Sequence, residues 1–350
     1  MQKTDYIVVG LGLSGLAVTE RLLQQGQSVI VIDKTLQSAS KVAGGMYNPV
    51  ILKRFTLAWN ADTQLEESLH FYKHLEQKLA TSFIKSIPVY RRFHSIEEQN
   101  NWFAASDKPI LENFLDIDIQ KNINPHISGE FGFGKVNHTG TINTKTLLTS
   151  YTTYLKSEQR IIEDDVDFNK LTITANGITY KDIAAKGIVF CEGHAISENP
   201  YFNFLDVRGN KGEYLIIESK DLQLEAAVKS GIFIIPLGNN LYKVGASYGR
   251  EDLTPEPTAE KRAELRSQLE DLLKCDYTVI DQVAGIRPTT KDRRPYIGAH
   301  HTHKNLFVCN GLGSRGVMTS PVVAMQLVDY MLHQKELPKD IDALRHYKKQ

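Results

Sequence analysis

The sequence predicts a mixed α/β fold in which a parallel, nucleotide-type sheet is interrupted by β-rich insertions. Three observations carry this: a glycine-rich strand–turn–helix unit at the start, a second apolar strand ending in glycine at Gly187–Gly193, and a third glycine loop, Gly311–Gly316, that opens a helix near the end. Asp5-Tyr6-Ile7-Val8-Val9 is a short run rich in β-branched residues. It ends in Gly10-Leu11-Gly12-Leu13-Ser14-Gly15, followed by a helical pattern to about Gln25, a second buried strand at Ser28–Ile32, and Asp33. Gly10 permits a tight turn, Gly12 leaves its backbone open to a pyrophosphate, and Gly15 lets the helix pack close to the strand. The helix N-terminus offers unpaired N–H groups and a partial positive charge. Asp33 stands about twenty residues on, where a carboxylate accepts from ribose hydroxyls and repels a 2′-phosphate.

The residues after this unit read in order. Ser38–Pro49 is dominated by small residues, so it is either an ordinary loop or a segment lying against a flat ligand. Leu65, Leu69, Tyr72, Leu75 and Leu79 recur at helical steps, which predicts an amphipathic helix from Ala61 to Leu79. A strand is expected at Ile87–Phe93, a short helix around Glu97–Phe103, and irregular chain from Ser106 to Gly134. Further strands are expected at Gly129–Val136 and Thr141-Ile142. Asn143 is placed to cap a helix over Thr144–Lys156. Beyond a strand at Arg160–Ile162, Lys170–Thr174 and Ile178–Lys181 form a hairpin whose Asn176-Gly177 signals a type I′ turn. Lys211–Glu218, Gly231–Pro236 and Leu241–Ser247 make a β-rich layer, and Thr258–Leu273 a charged helix. Asn305–Asn310 is the last strand, and Ser320–His333 a helix with Pro321 in its first turn.

Bulk properties narrow the function classes. The 41 Lys and Arg balance 41 Asp and Glu, so no general pull toward nucleic acid or membrane arises, although Lys53-Arg54, Arg91-Arg92 and Lys291/Arg293/Arg294 are local basic clusters. Three widely spaced cysteines, Cys191, Cys275 and Cys309, suggest neither a disulfide framework nor a zinc site. His300, His301 and His303 read as a polar hairpin loop rather than a metal site. No apolar run reaches the ~18 residues of a membrane span, and the first strand begins too early for a signal peptide, so a cytoplasmic protein is expected.

Four blocks together resemble the FAD-dependent oxidoreductases of the D-amino-acid oxidase group, which includes glycine oxidase and sarcosine oxidase. They are the N-terminal fingerprint with Asp33, Ala39–Met46, Gly285–Gly298 and Gly311–Gly316; weaker support comes from Val189–Gly193 and from the pair Ile234–Pro236 and Val244–Ser247. The resemblance implies a Rossmann-like FAD-binding domain (1–85, 138–205 and 283–350) with an inserted antiparallel-sheet substrate domain (86–137 and 206–282). It implies FAD contacts from Gly10, Gly12, Leu13, Ser14 and Gly15, from Asp33 and Lys34, from Ser40, Gly44, Gly45 and Met46, from Val166 through its backbone, and from Gly193. The last loop, Gly311, Gly313, Ser314, Arg315, Gly316, Val317 and Met318, is expected against the flavin pyrimidine.

Arg287 matches the arginine that grips a substrate carboxylate in glycine and D-amino-acid oxidases; the alternative is an ion pair with Asp292. Arg315 is expected among the catalytic groups as well. Two departures stand out. Phe233 occupies a position where glycine-oxidase-like members often have a tyrosine. The Gly311–Gly316 loop looks like the FAD half of the bifunctional enzyme that modifies the tRNA wobble uridine, as does the Arg287-to-Asp292 spacing. No cysteine lies where sarcosine-oxidase-like members attach their flavin, so FAD is expected to be non-covalent, with no metal. The implied activity is oxidation of an amine or amino acid to an imine. The alternatives are a tRNA-modifying oxidoreductase acting on a carboxymethylaminomethyl group, an NAD-dependent dehydrogenase, and a non-enzymatic flavoprotein.

Overall fold

The computed structural model describes residues 1–34 and 38–347. Its spine is a six-stranded sheet in the order Ile161–Glu163, Val29–Asp33, Tyr6–Val9, Gly187–Phe190, Leu306–Asn310, Tyr296–Ala299. The first five strands run parallel and the last is antiparallel. Alternation along the central strand assigns its faces. Tyr6 and Val8 point into one core with helices Leu13–Gln24, Ala61–Leu79, Thr144–Ser157 and Gly316–His333; Ile7 and Val9 point into a second. That second face is covered by a four-stranded sheet that includes Leu171–Thr174, Gly177–Tyr180 and Ile183–Ala185.

A seven-stranded sheet stands beside this unit, in the order Thr278–Thr290, Val207–Glu218, Leu241–Gly245, Phe233–Gly238, Ala227–Lys229, Val89–Arg92, Phe133–Val136. Its longest pair, Val207–Glu218 with Thr278–Thr290, places Asn210 opposite Arg287 and Gly212 opposite Gly285. The expected 282/283 boundary falls inside this second strand. Helix Ala259–Glu270 closes a third core with Leu265 and Leu269. Thr258 caps it by accepting from the Lys261 amide.

Helix Ala61–Leu79 has the span its periodicity predicts, and Asn143 caps Thr144–Ser157 by accepting from the Thr146 amide. Two local expectations are corrected. The hairpin turns at Ala175-Asn176, because Thr174 pairs with Gly177; neither turn residue has positive φ, so the turn is not type I′. The last helix begins at Gly316 rather than Ser320, which puts Pro321 beyond its first turn. Proline cannot donate to the Val317 carbonyl one turn back. That carbonyl accepts instead from Tyr72 Oη at 2.8 Å, and the next one, Met318, accepts from Ser68 Oγ at 2.6 Å. Two residues of a helix 245 and 250 positions earlier thus stabilise the proline inside the last helix.

Candidate active site

The N-terminal turn is held open by its own glycines. Gly10 has φ +90°, and a Cβ there would lie 2.7 Å from the Cys191 carbonyl oxygen. A Cβ on Gly15 would lie 1.8 Å from the Gly10 carbonyl oxygen, so only glycine allows this approach of helix and turn. Asp33 Oδ1 accepts from the Leu11 amide at 2.8 Å, and Ser40 Oγ accepts from the Leu13 amide at 3.1 Å. The Ser14 hydroxyl donates to the Cys309 carbonyl. Two of the sequence blocks therefore meet at this turn. The amides of Gly12, Ser14 and Gly15 find no acceptor among the described residues. Free amides at a helix N-terminus, with no side chain on Gly12, are the donor set a diphosphate requires, so these residues fit a dinucleotide. Lys34 pairs with Asp165 at 2.6 Å, next to half-buried Val166.

Glu192 follows the Gly187–Phe190 strand and precedes Gly193. Desolvation raises its carboxyl to about 7, against the lowering effect of Asn199, whose Nδ2 donates to it at 2.7 Å, and of Lys34. Between about 4.5 and about 7 the folded chain holds a proton that the unfolded chain has lost. The apoprotein should therefore lose up to roughly 3 kcal/mol of stability as pH rises through that window, with no further loss from this group above it. Urea unfolding across the window checks this, and Glu192→Gln should flatten the slope.

The small-residue segment is packed between the two sheets. Short helix Ala39–Val42 lies under Gly285, whose Cβ would meet Val42 Cγ2 at 2.4 Å. A Cβ on Gly44 would meet Ile235 Cδ1 at 2.9 Å and Tyr214 Oη at 3.5 Å. Gly45 has φ +68°, and its carbonyl accepts from the Ile142 amide at 2.8 Å. Met46 begins a two-residue strand beside Gly140–Ile142. Lys243 Nζ donates to the carbonyls of Val42 and Ala43 at 3.2 and 2.9 Å, and burial pushes its amine down to about 8. Sequence reading missed Lys243 and Tyr214, because both reach this segment through sheet pairing.

Arg287 lies half-buried on the long strand pair. Its Nη1 donates to Asn210 Oδ1 at 3.2 Å and to the Ser247 carbonyl at 3.4 Å, and its guanidinium sits 4.9 Å from the centroid of the Tyr248 ring. A Cβ on Gly212 would fall 1.9 Å from Arg287 Nη2, so the guanidinium occupies the space that glycine leaves. Asp292 does not pair with it. That carboxylate is bound by Arg345 at 3.0 Å and His346 at 3.2 Å, and no carboxylate lies within 4.0 Å of Arg287 among the described residues.

The last glycine loop joins this end of the site. The Gly313 amide donates to the Pro288 carbonyl at 2.9 Å, directly after Arg287. Arg315 caps the last helix, and its Nη1 donates to the Asn48 carbonyl at 2.9 Å, two residues beyond Met46. The amides of Ser314, Gly316 and Val317 have no acceptor among the described residues. A Cβ on Gly316 would touch Leu13 Cδ1 at 3.4 Å, so the two glycine-opened helices abut. Contacts thus join all four sequence blocks: Ser40 to the first turn, Gly285 to Val42, Gly313 to Pro288, and Gly316 to Leu13. Phe233 pairs with Gly245, and Lys229 stacks on its ring. The three histidines lie around the hairpin before Leu306; no group of His, Cys, Asp or Glu able to hold a metal exists among the described residues. None of the helices among them is long and apolar enough to cross a membrane.

Comparison with known proteins agrees with this geometry. The family model described as DAO, FAD dependent oxidoreductase, matches residues 5–330. The tRNA 5-methylaminomethyl-2-thiouridine biosynthesis bifunctional protein MnmC of Idiomarina loihiensis is 29% identical over 183 residues, which is 48% of this chain and 29% of that protein. In the corresponding Shewanella halifaxensis protein the covered share is 28%, so the chain matches under a third of the length of these bifunctional relatives. The uncharacterized oxidoreductase YurR of Bacillus subtilis is 23% identical over 94% of this chain and 95% of its own length. The crystal structure of glycine oxidase from Geobacillus kaustophilus superposes with a TM-score of 0.80 over 96% of both chains at 19% identity, which establishes a common fold.

Proposed function

Since the chain belongs to the DAO family of FAD-dependent oxidoreductases, we propose that the site joined by these four blocks oxidises the C–N bond of a carboxylate-bearing amine or amino acid. The observation that carries this reading is Arg287, a half-buried guanidinium with no carboxylate partner among the described residues. The family assignment replaces the alternative of an NAD-dependent dehydrogenase.

FAD, when bound, supplies the two-electron acceptor for the reaction. Gly10, Gly12, Leu13, Ser14 and Gly15 would hold its diphosphate, and Asp33, Lys34, Val166 and Gly193 its adenosine end. Ser40, Gly44, Gly45 and Met46 would flank the ring system, with Gly311–Met318 at its far edge. Arg287 grips the carboxylate through two parallel charge-assisted bonds and so fixes the α-carbon. Asn210 and the Ser247 carbonyl hold the guanidinium in place before substrate arrives. The amine binds uncharged, having lost its proton to solvent, and water hydrolyses the product imine to a carbonyl compound. The chain contributes positioning and electrostatics rather than an acid–base group.

Gly212→Ala should displace the guanidinium without disturbing the fold, because the added methyl meets the far end of a flexible side chain. The expected result is KM raised by about tenfold or more with full flavin content, since a lost charge-assisted bond costs about 1.5–3 kcal/mol.

A second reading keeps the same chemistry and replaces the small substrate with a carboxymethylaminomethyl group on tRNA. The match to MnmC and the basic residues near Arg287 favour it. An anaerobic screen of flavin bleaching with glycine, sarcosine, D-amino acids, D- and L-proline and modified tRNA tests both readings. Bleaching by a free amino acid supports the first, and bleaching by the tRNA alone supports the second.

A further inference from the structure

The most exposed aromatic side chain among the described residues stands against Arg287. Tyr248 is 67% exposed, whereas every other Phe, Trp or Tyr among them is 39% exposed or less. Its main chain is fixed on both sides. The Ser247 amide donates to the Glu213 carbonyl at 3.1 Å, and the Ser247 hydroxyl accepts from the Glu213 amide at 3.0 Å. The Gly249 amide donates to the Lys211 carbonyl at 2.9 Å, and the Lys211 amide donates back to the Gly249 carbonyl at 2.7 Å. Lys211 is buried, and its ammonium ties down the segment that follows through Asp252, Thr254 and the Glu256 carbonyl. Lys211 and Glu213 lie on the strand that carries Asn210, the hydrogen-bond partner of Arg287. One strand therefore orients the guanidinium and holds the tyrosine against it.

One face of the ring is taken by Arg287, whose guanidinium lies 4.9 Å from the ring centroid. Among the described residues no other ring or cation stacks on Tyr248, and its hydroxyl bonds to no group. With one face covered, an exposure of 67% leaves the opposite face open. A ring whose main chain is already ordered loses little further freedom when a ligand settles on it. Such a face favours a flat π-system in offset stacking over a puckered ring. A carboxylate in the Arg287 fork stands beside this ring, so a group a few bonds further along the substrate comes within reach of it. We propose that Tyr248 is a stacking platform for the substrate. The carboxylate lies on Arg287, and a planar, unsaturated ring carried by the amine nitrogen lies on the free face of Tyr248. The substrate class is then an N-substituted amino acid whose nitrogen bears a flat ring one methylene away. This rests on the assignment of Arg287 to the carboxylate.

Ethers that replace the amine nitrogen with oxygen keep the substrate's shape without its C–N bond, so they report recognition alone. The FAD-loaded protein is titrated with methoxyacetate, benzyloxyacetate and (cyclohexylmethoxy)acetate, and binding is read from the perturbation of the flavin spectrum. Benzyloxyacetate should bind about tenfold or more tightly than methoxyacetate, and at least about threefold more tightly than the cyclohexyl compound. In Tyr248→Ala the ratio of methoxyacetate to benzyloxyacetate Kd should fall toward one, and Tyr248→Phe should retain the parental ratio. The backbone bonds of Ser247 and Gly249 do not involve the ring, so the alanine variant keeps the fold, and flavin content verifies that each variant is loaded. An equal gain for the phenyl and cyclohexyl compounds overturns the platform. So does the absence of any gain for benzyloxyacetate, an undiminished gain in Tyr248→Ala, or loss of the gain in Tyr248→Phe. Failure of methoxyacetate to bind at all overturns the Arg287 assignment instead.

Discussion

Arg287→Ala should lower kcat/KM for a carboxylate-bearing amine by about a hundredfold or more. Two charge-assisted hydrogen bonds at about 1.5–3 kcal/mol each are lost, and each 1.36 kcal/mol is a factor of about ten. Flavin content should stay that of the parent, because the Arg287 side chain bonds to Asn210 of the seven-stranded sheet and to the Ser247 carbonyl just beyond strand Leu241–Gly245, and not to the glycine turns. Arg287→Lys should recover only part of the loss, since an ammonium is a point charge without the planar fork. Steady-state kinetics with the flavin-to-protein absorbance ratio check both statements. A parental kcat/KM in the alanine variant would remove Arg287 from substrate binding.

Gly15→Ala should produce a protein with little or no bound FAD. Its methyl would lie 1.8 Å from the Gly10 carbonyl oxygen and 2.9 Å from the Gly10 carbonyl carbon, both backbone atoms that no rotamer change relieves. The helix must move away from the turn, and the free amides of Gly12 and Ser14 move with it. Overpacking of this kind costs about 1–3 kcal/mol of stability, so the fold itself should survive, with a lowered melting temperature. Comparing FAD affinity of the two apoproteins by recovery of flavin absorption checks the effect. An alanine variant that purifies with a full complement of flavin would contradict the role given to this turn.

The parts of the fold that were legible in the sequence are those fixed by short-range rules. Strand, glycine turn, helix and Asp33 lie within the first 33 residues, and their spacing alone placed them. The helical steps of Leu65, Leu69, Tyr72 and Leu75 gave a helix with correct ends. The start of the last helix was misread because Pro321 signals a first turn locally. Its tolerance deeper inside depends on Tyr72 and Ser68, which no local pattern connects to it. Strand Thr278–Thr290 was not recognised as a strand; Gly285 and Pro288 interrupt its pattern, and its long pairing with Val207–Glu218 restores it.

The candidate site divides in the same way. Its glycines, Asp33, Ser40 and Arg287 were readable as motifs. Asn210, Gly212 and Lys243 were not, because sheet register across tens of residues carries them to the site; Tyr248 follows strand Leu241–Gly245, beside the isolated Lys211–Gly249 bridge, and meets Arg287 through its ring. The resemblance supplied the order of the blocks along a cofactor. The structure adds the contacts that join them: Ser40 to the first turn, Gly313 to Pro288, and Arg315 to Asn48.

The central claim is that Arg287 selects a substrate by its carboxylate and positions the adjacent C–N bond for oxidation. The most direct measurement is anaerobic reduction of the protein-bound flavin by the fastest amine of the screen and by the methyl ester of that amine, followed by visible absorption. The carboxylate form should bleach the flavin at least about a hundredfold more efficiently than the ester, which cannot accept the guanidinium fork as an anion. Equal bleaching by acid and ester would contradict it.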